Sequence, residues 1–234
     1  MNAPQIPVSA PPSPPTPTRA MIVTLGLVAA LCGLVIVGAY EGSLSAVQDN
    51  RRVAMQRAID KVLPGAHRTV AFNALADGTV RAAGAAGAPP AGALVFHAAY
   101  DAGGQLVGIA AEGAAKGYAD TVRVLFGYSP RCACVVGIGV VSMRETPGIG
   151  DKILFDPGFL ANFKALDVQL RADLQGLAHG VTTVKHGTKT QPWQVDAISG
   201  ATITSRAVGR AINDAAQALL PRLVPRLEQI GKAP

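Results

Sequence analysis

The sequence predicts an α+β fold: a single amino-terminal transmembrane helix followed by one mixed α/β domain. Three observations lead there. Residues 20–40 are 21 consecutive residues without charge or proline. From residue 94 onward, short apolar runs bounded by Gly, Pro, Asp and Ser read as strands. Helical patterns flank those runs without a regular βαβ alternation, which separates α+β from a doubly wound sheet. With 49% hydrophobic residues and 15% charged, the chain has apolar matter enough for a core and is not disordered throughout.

Taken in order, residues 1–19 hold seven of the 17 prolines and read as a Pro-rich disordered arm. Residues 20–40 follow; as a helix rising 1.5 Å per residue they span a hydrocarbon core of about 30 Å. A buried soluble helix seldom stays apolar all round for so long, and a signal-peptide core is usually shorter, so a retained anchor is expected. A linker helix over 43–63 carries Leu44, Val47, Ala54, Ala58, Ile59, Val62 and Leu63, and Pro64-Gly65 ends it. Residues 82–93, built of Ala, Gly and Pro, read as a loop. A hairpin over 94–100 and 105–111 turns at Asp101 to Gly104, and further strands fit 121–127 and 134–143 around a Ser129-Pro130 turn. Asp156 then caps a helix with Pro157 at its first position, and Phe155, Phe159 and Phe163 recur along it. A short strand over 195–198 precedes a last helix over 205–220, with Val208, Ile212, Ala215 and Leu219 on one side and Pro221 as its stop. The expected units are therefore 1–19, 20–40, a domain over 41–220 including the linker helix, and a tail over 221–234.

Several chemistries are closed. A net charge of +6 without a long basic run, and with few aromatics, gives no nucleic-acid face. No P-loop, nucleophile elbow or H-E-x-x-H occurs. Gly137-Ile-Gly139 lies inside a strand and so forms no dinucleotide fingerprint. Four scattered His give no metal spacing. Cys132 and Cys134, two apart on a strand, should point the same way; the pair could oxidise or bind metal, but lacks a partner His or second Cys pair. Cys32 falls in the anchor. No catalytic residue is assigned.

Two segments remain. Asp196-Ala-Ile-Ser199-Gly200-Ala201-Thr202 leaves a strand, passes through small residues and enters the last helix. Free backbone N–H groups at such a start bind anions, and Gly200 and Ala201 would let a phosphate approach the main chain. By composition alone an ordinary Ser/Thr-capped helix start is the commoner explanation. The second segment is Arg144-Glu145-Thr146-Pro147-Gly148-Ile149-Gly150-Asp151-Lys152-Ile153, where Pro147-Gly148 favours a type II turn with Gly148 at positive φ.

Asp196-x-x-Ser199-Gly200-Ala201-Thr202 resembles the flavinylation motif of the FMN-binding domain family, which includes components of Rnf-type electron-transport complexes and of sodium-translocating NADH:quinone reductases. The stretch Glu145-Thr146-Pro147-Gly148-Ile149-Gly150-Asp151-Lys152-Ile153 resembles that family's second motif, E-T-P-G-[LI]-G-x-K-I, which lies against the flavin. Lys116-Gly117-Tyr118-Ala119-Asp120 is a weaker match, with Asp120 where the family often has a second Gly. The resemblance implies FMN bound covalently to Thr202 as a phosphoester, attached by a separate flavin transferase with FAD as donor. It also implies cofactor contacts from Glu145, Thr146, Pro147, Gly148, Asp196, Ser199, Gly200 and Ala201. Size, single span and motif order favour the G component of an Rnf complex over the C component of the quinone reductase. The implied protein is an electron-transfer subunit of an ion-translocating complex, working with other membrane and peripheral subunits. Rivals are a membrane-anchored binding module without redox chemistry and a periplasmic hydrolase. The family places the flavin domain on the periplasmic side of the bacterial inner membrane. Arg51, Arg52 and Arg57 after the span, against Arg19 alone before it, argue the reverse by the positive-inside rule.

Overall fold

The computed structural model describes residues 17–83 and 89–231. The arm expected over 1–19 and the loop expected over 82–93 lie largely or partly outside these residues. The chain divides into two compact units, Met1–Arg51 and Arg52–Pro234.

The described part of the first unit is helical. It belongs to α1, Thr18–Val62, which joins the expected anchor and linker helix in one continuous helix. Gly42 alone disfavours helix by about 1 kcal/mol, too little to stop a helix supported on both sides. Within α1, Thr18–Val47 contains an 18-residue window of mean hydropathy 2.7 with none of it buried, so it is long and apolar enough to cross a bilayer.

The second unit is built on a seven-stranded antiparallel sheet in the order β2-β1-β3-β4-β5-β6-β7. The strands are β1 (Arg68–Ala74), β2 (Val80–Ala82), β3 (Leu94–Tyr100), β4 (Leu106–Lys116), β5 (Thr121–Ser129), β6 (Cys134–Ser142) and β7 (Leu166–Asp167). The hairpin and the two following strands stand where the sequence predicts, with β4 extended by five residues to Lys116. The sequence pattern assigns no strand to β1 or β2.

The two faces of the sheet bury different partners. Phe72, Phe96, Ile109, Val124 and Phe126 face α3 (Thr202–Leu223), whose Ala207, Val208, Ala211, Ile212, Ala216 and Leu219 are buried. On the opposite face Ala99, Ala110 and Leu125 pack against Ile59, Val62 and Leu63 at the end of α1. That face is paved with small residues. A Cβ at Gly127 would stand 2.6 Å from the Val62 carbonyl, and one at Gly108 would stand 2.6 Å from Leu63.

The last helix is longer than expected at both ends. Pro221 sits inside it and α3 continues to Leu223, then tightens into a 3₁₀ segment, Val224–Ile230. Pro221 removes one N–H but does not end the helix, because Leu220, Leu223 and Ile230 on either side are buried in the core. Tyr100 Oη donates to Ile230 O (3.0 Å), and Leu106 N donates to Gly231 O (3.2 Å), so the segment after Pro221 is tied to β3 and β4.

Three smaller expectations are corrected. Asp156 does cap a helix, accepting from Phe159 N at 2.7 Å, but α2 (Pro157–Ala161) is a single turn followed by 3₁₀ geometry. Phe155 precedes it and is 62% exposed, while Phe159 and Phe163 are buried and stack edge to face, so the Phe stripe is two rings and not three. Cys132 lies in the β5–β6 turn and not on the strand, and its Sγ is bonded to that of Cys134 in a disulfide.

Candidate functional site

The Glu145 segment leaves the end of β6 and folds back as a tight turn. Ile149 N and Gly150 N both donate to Thr146 O (3.2 and 3.0 Å), and Gly148 takes φ +77°. Pro147 with Gly148 thus forms the turn that the sequence predicts, and Pro147, Gly148 and Thr146 are exposed at its tip. A 3₁₀ turn, Gly150–Leu154, follows and buries Ile153.

Glu145 points the other way, into the protein. Its Oε1 accepts from Ala119 N (3.2 Å) and Asp120 N (3.5 Å), and its Oε2 accepts from Thr204 Oγ1 (2.8 Å). Glycines on two sides make room for it. A Cβ on Gly117 would collide with Glu145 Oε1, and one on Gly150 would stand 2.6 Å from Glu145 Cβ. One carboxylate therefore joins the β4–β5 turn, the 144–150 loop and the first turn of α3. In the β4–β5 turn Gly117 N donates to Asp120 O (2.8 Å), so Asp120 closes the turn although it replaces a glycine.

The 196–202 segment begins at β9 (Gln194–Asp196), which pairs in parallel with β8 (Thr182–Val184), a strand the sequence pattern does not identify. After β9 the chain is stapled from below: Ile198 N donates to Ser205 Oγ (3.1 Å), which donates to Ala201 O (3.0 Å). Ser205 is fully buried. Gly200 takes φ +82°, a conformation that would strain any other residue, and the space where a Cβ would lie is open. Ala201 is the N-cap of α3, and no side chain caps the helix start. The Ser/Thr-capped start that composition favours is therefore not what forms. What forms is an anion-binding geometry: an uncapped helix start behind a glycine, with Thr202 as first residue.

The two threonines of the motif differ. Thr204 is buried and its hydroxyl is engaged by Glu145, whereas Thr202 is half-buried and faces the cavity. That cavity, about 470 Å³, is lined by residues from all three segments: Tyr118; Glu145, Thr146, Ile149 and Gly150; and Gly200 to Thr204. Its volume is in the range of small-molecule sites. Tyr118, Ile149 and Ile203 leave much apolar surface at its edge.

Asp196 is placed differently from the cavity-lining residues. Its Oδ2 accepts from Gly187 N (3.0 Å) and lies 3.7 Å from His186 Nδ1, while its buried Oδ1 makes no hydrogen bond. Its backbone is held by buried Asn162: Asp196 N donates to Asn162 Oδ1 (3.0 Å), and Asn162 Nδ2 donates to Asp196 O (3.3 Å). Lys189 Nζ also donates to Asn162 Oδ1 (3.1 Å). Burial pushes the Lys189 ammonium below its ordinary pKa, and the Asp196 carboxylate opposes that shift.

Of the residues singled out in the sequence, Glu145, Thr146, Gly200, Ala201 and Thr202 come together around one cavity, and Pro147, Gly148 and Ser199 flank it on exposed turns. Asp196 lies outside the lining. Sequence reasoning missed Ile203 as lining, and Ser205 and Asn162 as supports. The signal for Ile203 was an apolar residue exposed beside a motif; for Asn162 there was none, because it acts across 34 residues.

The paired loops and the uncapped helix start enclose one cavity of small-molecule size in the second unit. The family model described as FMN-binding domain matches residues 117–217. Relatives include the G component of the ion-translocating oxidoreductase complex of Methanosarcina acetivorans, 33% identical over 52% of this chain and 56% of that protein. Another is the G component of the Na(+)-translocating ferredoxin:NAD(+) oxidoreductase complex of Acetobacterium woodii, 32% identical over 47% of this chain and 48% of its own. The chain spans about half the length of the relatives it matches. Among solved structures, NqrC of Shewanella oneidensis aligns with a TM-score of 0.59 at 21% identity, covering 78% of this chain and 98% of that one. At that identity the likeness establishes the fold alone.

Proposed function

We propose that this chain is the flavin-carrying electron-transfer subunit of an ion-translocating oxidoreductase complex of the Rnf type, corresponding to its G component. The carrying observation is that two segments about fifty residues apart in sequence meet in one cavity with the Thr202 hydroxyl at an uncapped helix start. FMN is the cofactor that fits it, joined through its phosphate to Thr202 as an ester made by a flavin transferase that uses FAD. Bound there, FMN supplies reversible one- and two-electron chemistry.

The chain's own residues hold and orient. The α3 start and the open backbone at Gly200 receive the phosphate, and the covalent bond prevents loss of the cofactor. Thr146 and the turn at Pro147-Gly148 offer hydroxyl and backbone groups to the ring, while Tyr118, Ile149 and Ile203 exclude water from its faces. Glu145 positions the walls. Asp196 orders the turn beneath the motif. Neither a nicotinamide site nor iron–sulfur ligands are part of this reading, so donor and acceptor belong to other subunits. The quinone-reductase alternative draws on the NqrC-like fold, but the two relatives described at 32–33% identity are both G components, which favours the Rnf type.

In this reading the domain faces the periplasmic side of the bacterial inner membrane, with Thr18–Val47 as single span. The Cys132–Cys134 disulfide supports an oxidising surrounding. Alkaline phosphatase fused after Pro234 is expected to be active; activity of a cytoplasmic reporter only would reverse the placement.

The attachment is tested on a denaturing gel of protein made with a flavin transferase. The wild-type band is expected to fluoresce under ultraviolet light, Thr202→Val to be dark and Thr204→Val to keep its band. Fluorescence persisting in Thr202→Val would refute the assignment.

A further inference from the structure

We propose that Cys132–Cys134 is a thiol–disulfide exchange site, a disulfide open to attack by an external thiol at the β5–β6 turn. The two cysteines differ in a way that suits exchange. Cys132 is exposed and lies in the turn, whereas Cys134 is 6% exposed and is the first residue of β6, paired to Ser129 and to Asp167. Between them Ala133 is held at φ +50°, the left-handed region that a residue with a Cβ seldom adopts. Ala133 O also accepts from Val168 N (3.2 Å), so the sheet fixes the Cys134 side of the ring while the Cys132 side stands in solvent. Arg131, the exposed residue before Cys132, brings a positive charge into the same turn, which favours an approaching thiolate. Exposed and strained disulfides are the labile ones, while structural disulfides are resistant.

The step balances without any further reagent. An external thiol loses its proton, and its thiolate forms a bond to Cys132 Sγ. The Cys132–Cys134 bond breaks, and Cys134 Sγ leaves with the electron pair and takes up a proton. A second external thiol then attacks the donor sulfur of the mixed disulfide and frees Cys132 as a thiol. Two external thiols are oxidised to one disulfide, and the protein disulfide is reduced to two thiols. Cleavage releases Ala133 from its left-handed conformation, and Cys134 stays anchored in β6.

The test uses the full chain in detergent with Cys32→Ser, so that only this pair reacts. Native protein is incubated with reduced glutathione or dithiothreitol and alkylated with a maleimide before mass spectrometry. Two adducts are expected on the native chain with either reagent; adducts with dithiothreitol alone would restrict the partner to dithiols and still support the site. No adduct on the native chain, with two appearing only after urea unfolding, would make the bond purely structural and overturn the proposal. In the same background Cys134→Ser should leave a Cys132 thiol that alkylates at least tenfold faster than the Cys134 thiol of Cys132→Ser; equal rates would refute the direction of attack. Ala133→Gly should shift the glutathione ratio at half reduction several-fold toward the disulfide, and no shift would refute the role of the backbone. None of these readouts involves flavin, so they succeed or fail separately from the function proposed above.

Discussion

Glu145 shows how much of the site depends on two oxygen atoms. Three donors converge on it from segments that are otherwise separate, namely Ala119 N, Asp120 N and Thr204 Oγ1. Truncation to Ala would leave both amides and the hydroxyl without their acceptor and open space between Gly117 and Gly150. The expected loss is about 2–3 kcal/mol of domain stability, together with weaker flavin loading. Glu145→Gln should cost less than about 1 kcal/mol and keep loading. Its carbonyl oxygen can still accept from the amides, and its NH₂ can donate to a reoriented Thr204 hydroxyl. Denaturant melts of the three proteins, read beside gel fluorescence, check this; equal losses in Ala and Gln would mean that the charge itself matters. Glu145 was legible as a site residue only through its motif. That its carboxylate faces inward, away from the Pro147-Gly148 tip, could not be read from the sequence, because its partners lie 25 to 59 residues away.

At the scale of elements, close approach decides what each segment tolerates. α3 lies so near β4 that a Cβ on Gly113 would collide with the Ala211 carbonyl, and helix backbone cannot yield as a side chain can. Gly113→Val is expected to lower stability by about 3 kcal/mol or more through overpacking. Gly148→Ala, with open space but φ +77°, should cost only about 1–2 kcal/mol, from conformation alone. Thermal melts separate the two cases, and a larger loss at Gly148 would show that the turn carries further contacts. The antiparallel core, β3 to β6, was readable because its strands are short apolar runs joined by short turns. β1, β2 and β8 were not. Val80–Ala82 and Thr182–Val184 are three residues each, too short for a periodic signal; the first forms on the longer β1, and the second pairs with the equally short β9. Pro221 misled for a related reason: the local rule for a helix stop was overridden by burial on both sides of it.

The whole second unit should respond to pH through His97. This imidazole sits on β3, and burial holds its pKa below the usual value, with Glu112 acting in the opposite sense. A depressed histidine is neutral in the folded state, so between its folded and unfolded pKa values the unfolded chain binds more protons. Stability from this group is therefore full above about pH 6.5 and declines as pH falls from there toward the lower folded value. Chemical denaturation between pH 5 and 8 should show that slope in the wild type and its flattening in His97→Gln. A slope of the same size in the variant would assign the effect to another group.

Tyr100 and Ile230, joined by a hydrogen bond across 130 residues, also bear on how the molecule is made. While the polypeptide is still being extended, the sheet has one bare apolar side, because α3 and the segment that clasps β3 and β4 have not yet been synthesised. Completion of the domain must wait for them. The helix start at Thr202 and the cavity beside it therefore take shape only once the chain beyond them has emerged.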